Sequence, residues 1–304
     1  MRVRATRLRQ AGESSAHKVL EGGYASMYEF RPEAAYVTAW AARDQACRRR
    51  MERIVAAVGS PPVEELDAKG LEELVLANDW QRALRTGQLA DSRKRIFVFN
   101  AFRDDPETVA RDAERHPALR TGGFLGAHPW TLRDKDAVPG GCICQSAWEI
   151  HSVFGCLHAC DYCHVQSYVN VMLNLEDFAG RLPHLFAMCP DQQLFKYDNQ
   201  TDTICFEPEY GASELLVPLF AREDGRYLML YTKSDNVDHL LPLQHRGKTI
   251  ISWSLSPERT CVEVEKGAPG MAERIAAARR CQDAGYTIRF RFSPIVPLDT
   301  WPED

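Results

Sequence analysis

No run of this chain approaches the 18 or so apolar residues of a membrane span, so the sequence predicts no transmembrane helix and no membrane partner. No apolar segment follows the basic start at Arg2, Arg4, Arg7 and Arg9, which sets aside a secretory leader. Without an oxidising destination, ten cysteines in 304 residues point to reduced thiols in a cytoplasm, not to a disulfide framework. A net positive charge is also lacking. A formal net charge of -5 gives no global field that draws the chain to nucleic acid or anionic lipid, although a local basic groove stays open. The run Arg48-Arg49-Arg50 reads as a solvated face or as a nucleic-acid contact. What the chain does have is 45% hydrophobic residues, enough for a substantial core in one large domain or two smaller ones.

Three of the cysteines, Cys156, Cys160 and Cys163, fall within eight residues in a C-x3-C-x2-C spacing. Three thiols so close cannot all pair as disulfides, and they converge on one centre only if the backbone loops around it, as around a metal or an iron–sulfur cluster. A four-iron cluster held by three cysteines keeps one iron open to a non-protein ligand. The competing reading is a structural zinc site on the same cysteines with His164 as fourth ligand. Zinc sites, however, usually supply their ligands as two separated pairs, and the second pair is missing here.

Along the chain, Pro32 to Val58 reads as a helix stopped by Gly59-Ser60-Pro61-Pro62, and Leu71 to Arg85 as a second. Ile96 to Phe99 reads as a strand and Pro106 to Arg115 as a helix. Residues 1–140 are thus expected to be a mainly helical N-terminal region that shapes a substrate entrance or binds a partner. Cys142 and Cys144 are too few to hold a metal without distant partners. Trp148 to Phe154 reads as a buried strand that delivers the cysteine loop. Strands at 194–197, 227–232, 249–255 and 286–292 then alternate with helices opening at Asn174 (kinked or ended by Pro183), at Glu214, at Asn236 and after Pro269. Repeated strand–helix units predict an α/β fold with a parallel sheet over residues 141–304, and function gathers at the C-terminal ends of such strands.

The cysteine loop resembles the cluster loop of the radical S-adenosylmethionine (SAM) superfamily, C-x3-C-x-aromatic-C, with Tyr162 in the aromatic place. From about Trp148 onward the chain resembles the spore photoproduct lyase branch of that superfamily. The matching stretches, in order, are Tyr231-Thr232-Lys233, Asn236 to Leu241, His245 to Thr249, Ser254-Leu255-Ser256, Glu273 to Arg279, Gly285-Tyr286, Ser293-Pro294-Ile295 and Trp301. The resemblance implies a partial parallel (β/α) barrel and a 4Fe-4S cluster on Cys156, Cys160 and Cys163. It also implies SAM contacts from Tyr162, Thr201, Asp202, Lys233 and Ser254. The implied activity is reductive cleavage of SAM to a 5'-deoxyadenosyl radical that abstracts hydrogen, with a DNA photolesion as the leading substrate and a flavodoxin or ferredoxin as electron donor. A peptide or small metabolite as target, or a non-catalytic zinc or nucleic-acid-binding protein, are the alternatives.

The sequence departs from that pattern in three places. Asn199 stands where the lyases carry the cysteine that returns a hydrogen atom to the product radical, and an amide N–H cannot replace a weak S–H in that role. His164 stands where an aromatic residue normally follows the last cluster cysteine. Cys205 is the nearby substitute thiol, or a packed core residue. The superfamily barrel also has six strand–helix units whereas five are legible here, which predicts an incomplete barrel at the C-terminal end.

Overall fold

The computed structural model describes residues 31–82, 95–127, 131–133, 146–165 and 167–299, so Cys142, Cys144, Trp301 and the N-terminal arginines lie outside the described residues. The N-terminal part runs β1 (Ala34–Thr38), α1 (Ala39–Ala42), α2 (Gln45–Ala57), β2 (Val63–Leu66), α3 (Ala68–Ala77), β3 (Ile96–Asn100) and α4 (Pro106–Arg115). The expectation of one helix from Pro32 to Val58 is corrected. Tyr36 and Val37 favour extended backbone, and Thr38 then caps α1 through the Ala41 N–H while Asp44 caps α2 through the Cys47 N–H at 2.7 Å. Helix formers such as Ala34 and Ala35 were over-weighted against β1's parallel pairing with both β2 and β3. Among the described residues the region is therefore mixed α/β, its helices interleaved with parallel strands.

The chain continues through β4 (Thr131–Arg133), β5 (Ala147–Glu149), β6 (Val153–Phe154), β7 (Ala159–Cys160), β8 (Tyr168–Met172) and α5 (Leu175–Met188). Then come β9 (Leu194–Tyr197), α6 (Ala212–Phe220), β10 (Tyr227–Thr232), β11 (Thr249–Leu255), α7 (Glu258–Glu263), β12 (Glu265–Lys266), α8 (Met271–Asp283) and β13 (Thr287–Phe292). Two larger sheets result, ordered β2-β1-β3-β8-β6 and β13-β11-β10-β9-β5-β4, with a small β12-β7 ladder beside them. Pairing is parallel except where β4, β6 and the β7–β12 ladder join.

Trp148 to Phe154 is not one strand. The chain leaves the second sheet after Glu149 and enters the first at Val153, and residues 150–152 stitch the two through Ile150 N–H to the Lys196 carbonyl and Met172 N–H to the Ser152 carbonyl. Strand β8, which the sequence reading passed over, carries the first sheet into the second half of the chain. Helix α5 runs on through Pro183, and Asn236 to Leu241 forms turns, not a helix. Strand β13 pairs with β11, and Phe292 and Ile295 near that edge are 72% and 73% exposed.

The Arg48–Arg50 run does not form a uniform basic surface. Arg50 is buried, donating to the Tyr210 carbonyl and pairing with Glu176 at 2.7 Å. Between β9 and α6, Glu207 accepts the Gly211 and Ser213 N–H groups and so caps α6, whereas both oxygens of the fully buried Glu209 lack a hydrogen-bond partner. Burial lifts the Glu209 carboxyl from 4.5 to about 7. The charged form is the disfavoured one, so stability is lost as pH rises from 4.5 through about 7. Glu209→Gln is expected to flatten that slope and to add on the order of 3 kcal/mol at pH 8, read from urea midpoints across pH.

Candidate cofactor cleft

The cysteine loop is built to approach the first sheet closely. Gly155 has φ 108°, and a side chain there would collide with the Tyr168 carbonyl oxygen of β8, so glycine is required where the loop begins. Arg95, buried just before β3, donates to the Cys156 and His158 carbonyls, both at 2.9 Å. On the far side β7 pairs with β12, and the Asp161 N–H reaches the Val264 carbonyl.

All eight residues singled out from sequence line one cleft at the C-terminal ends of the parallel strands: Cys156, Cys160, Tyr162 and Cys163 from the loop, Thr201 and Asp202 after β9, Lys233 after β10, and Ser254 in β11. His164 is exposed and does not line it. The three thiols are free. Among the described residues, the ligand atoms of His158, Asp202 and Cys205 lie within 4.8 Å of one another. Three sulfurs on one tetrahedral zinc, each at about 2.3 Å, would lie roughly 4 Å apart. A four-iron cluster takes each thiolate at a separate corner, so its three ligands need not approach one another that closely.

Burial pushes the Cys156 thiol up to about 12, with the Asp202 charge and the neighbouring thiols adding to it, and burial lifts Cys160 to about 11 against the pull of Lys233. Without a metal cation these thiols hold their protons. Thr201 Oγ1 is buried in the cleft wall without a hydrogen-bond partner, a polar atom suited to a bound cofactor.

Asp202 lines the cleft with its carboxylate already engaged by protein donors. It is 5% exposed, and its carboxylate faces His158 Nε2 at 3.0 Å, accepts the Thr232 hydroxyl at 2.9 and 3.0 Å and accepts the Lys233 N–H at 2.7 Å. Burial works against its ionisation, but His158 and these donors outweigh it and hold the carboxyl below its usual value. The other ring nitrogen of His158 lies 3.0 Å from the Gly267 carbonyl, so the imidazole ties the cysteine loop to both β10 and the chain after β12. Cys205 is fully buried, 3.3 Å from His158 and outside the cleft lining. Burial raises its thiol well above the usual value.

Sequence reasoning missed Glu265. This fully buried carboxylate in β12 accepts from Tyr162 at 2.5 Å, Ser256 at 3.0 Å and Arg274 at 2.6 Å, and Lys233 Nζ lies 3.9 Å away. Burial pushes its carboxyl up, yet the Lys233 charge, the Tyr162 bond and Arg274 together keep it low. The only signal was a Glu-Lys-Gly run that reads as a surface turn. Asp198, His151 and Arg291 were also passed over; Arg291 sits 4.0 Å from the Tyr231 ring centroid and donates to Ser254 at 3.2 Å.

A parallel α/β protein that gathers three free thiols, an ammonium and hydroxyls at one strand-end cleft has the makings of a cofactor-binding site. Residues 145–304, just over half of the chain, match the family model described as spore photoproduct lyase. The chain belongs to the spore photoproduct lyase family. It is 28% identical over 166 residues to a spore photoproduct lyase of Geobacillus sp. (strain Y412MC61), covering 52% of this chain and 49% of that protein. To that of Bacillus subtilis (strain 168) it is 26% identical over 166 residues, covering 52% and 48%. The chain thus matches about half the length of these curated relatives. The solved structure of spore photoproduct lyase complexed with dinucleoside spore photoproduct aligns with a TM-score of 0.62 at 18% identity, over 90% of this chain and 71% of that one. A variant of that enzyme with bound AdoMet and dinucleoside spore photoproduct gives 0.63 at 19%. These structures share the fold.

Proposed function

We propose that the chain is a radical SAM enzyme acting on a DNA pyrimidine photolesion, with Cys156, Cys160 and Cys163 as the ligands of a 4Fe-4S cluster in a partial parallel barrel. When bound, the cluster and SAM supply a 5'-deoxyadenosyl radical for hydrogen abstraction. The observation that carries the reading is the convergence of the Cys156, Cys160 and Cys163 thiols with Tyr162, Thr201, Lys233 and Ser254 on one cleft. Lys233 offers an ammonium for the SAM carboxylate, and Thr201 and Ser254 offer hydroxyls. Asp202 contributes by locking the loop to β10 through His158. A small electron-transfer protein is the fitting reductant, and among the described residues no helix is long and apolar enough to cross a membrane.

The test is 5'-deoxyadenosine release by anaerobically reconstituted protein given SAM and dithionite, with and without dinucleoside spore photoproduct. Release that the photoproduct stimulates supports the reading. A colourless preparation that holds only zinc and releases nothing sinks it.

Asn199 lines the cleft, and its amide donates to the buried Glu149, so the place of the family's hydrogen-returning thiol is occupied by a group with no weak bond to hydrogen. Asn199→Cys is expected to supply that bond. In deuterated water the repaired thymine should then carry deuterium from the exchanged thiol, severalfold above the native protein, by mass spectrometry. Equal labelling in both would remove Asn199 from the argument.

A further inference from the structure

We propose that Asp198 is a substrate-recognising group whose second carboxylate oxygen accepts a hydrogen bond from an N–H donor of the substrate, the imide N–H of a pyrimidine. The inference rests on the photolesion reading above. Asp198 directly follows β9 and lines the cleft, yet is 1% exposed. Its Oδ1 is committed, with His151 Nδ1 at 2.5 Å and the Gln200 N–H at 2.7 Å. Its Oδ2 is buried and has no partner. A buried carboxylate oxygen left without a donor is costly, and buried polar atoms are otherwise almost always satisfied.

Two carboxylates belong to the cleft wall, and their capacities differ. Asp202 is saturated by His158, Thr232 and the Lys233 N–H, whereas Asp198 has an acceptor to spare. The next residue, Asn199, stands where the family keeps the thiol that meets the product radical. Asp198 and Asn199 line the same cleft. Lys233 and Arg291 line the same cleft, so anionic groups of a ligand have cations elsewhere and the donor edge of a base is what Asp198 can take. His151, 3% exposed, fixes the carboxylate in place from behind.

Asp198→Asn separates this role from a structural one. The amide oxygen can keep the contacts to His151 and Gln200, which puts an NH2 in the place of Oδ2 and exchanges an acceptor for a donor. Calorimetric binding of dinucleoside spore photoproduct to reconstituted protein is expected to weaken about ten- to a hundredfold in Asp198→Asn, and similarly in Asp198→Ala. S-adenosylhomocysteine should bind the variants as it binds the native protein, which also shows that they are folded. Photoproduct methylated at the imide nitrogens should bind the native protein as weakly as the unmodified compound binds the variant. Equal photoproduct affinity in native and variant protein overturns the proposal, and so does a loss confined to S-adenosylhomocysteine. A native protein that binds S-adenosylhomocysteine but not the photoproduct overturns the photolesion reading and the proposal with it.

Discussion

Replacing Cys160 with alanine is expected to abolish 5'-deoxyadenosine release and to strip most of the iron and sulfide from the reconstituted protein. The expectation follows from the thiols' surroundings. Burial lifts Cys156 to about 12 and Cys160 to about 11, so near neutral pH these groups give up their protons only to a metal cation whose charge compensates the thiolate. Three such bonds share that cost, and removal of the ligand carried by β7 leaves two, with one further cluster corner open to solvent. A loss of at least about a hundredfold in release is expected, in line with what disruption around a metal site costs. Cys205→Ala is the control: buried, bonded to His158 and outside the cleft, it should keep its iron. A Cys160→Ala protein with full iron content and undiminished release would remove the loop from the chemistry.

The cleft was more legible in the sequence than the fold around it, for physical reasons that differ by residue. Cysteines in a C-x3-C-x2-C spacing announce a shared centre because their reach is short, and Lys233 and Ser254 fall at strand ends that the apolar runs mark clearly. The N-terminal strands were hidden for the opposite reason. Ala34 to Thr38 mixes two helix-forming alanines with three β-formers, and only its parallel pairing with β2 and β3 decides between them. The switch of sheets between Glu149 and Val153 leaves no local signature, since each short strand owes its state to partners some 20 to 50 residues away. Glu265, Arg274 and Asp198 escaped because ionisable residues read as surface until their partners are known.

Arg274→Met is expected to destabilise the protein by about 3 to 5 kcal/mol, the usual cost of stranding one member of a buried ion pair. Arg274 is fully buried in α8 and donates to the Pro269 carbonyl, the Ser254 carbonyl and Glu265, the last at 2.6 Å. Methionine fills part of the volume but takes the arginine donors from two carbonyls and leaves the second Glu265 oxygen only the Cys261 thiol, at 3.8 Å. An exposed pair such as Arg181 with Asp104 offers the contrast, since solvent already screens it and Arg181→Ala should cost less than about 1 kcal/mol. Urea midpoints at constant slope would read both. The loss at Arg274 also carries a signature beyond stability. Glu265 would keep Tyr162, Ser256 and the more distant Lys233, and with Arg274 gone its charge would draw Lys233 inward, away from the cleft. Because β12 pairs with the cysteine loop at β7, the same change loosens the segment that bears Cys160. Arg274→Met under conditions where it remains folded should therefore bind S-adenosylhomocysteine more weakly and lose iron faster to a chelator than Arg181→Ala. A destabilised Arg274→Met protein with native affinity and native iron retention would mean that Glu265 braces the fold alone.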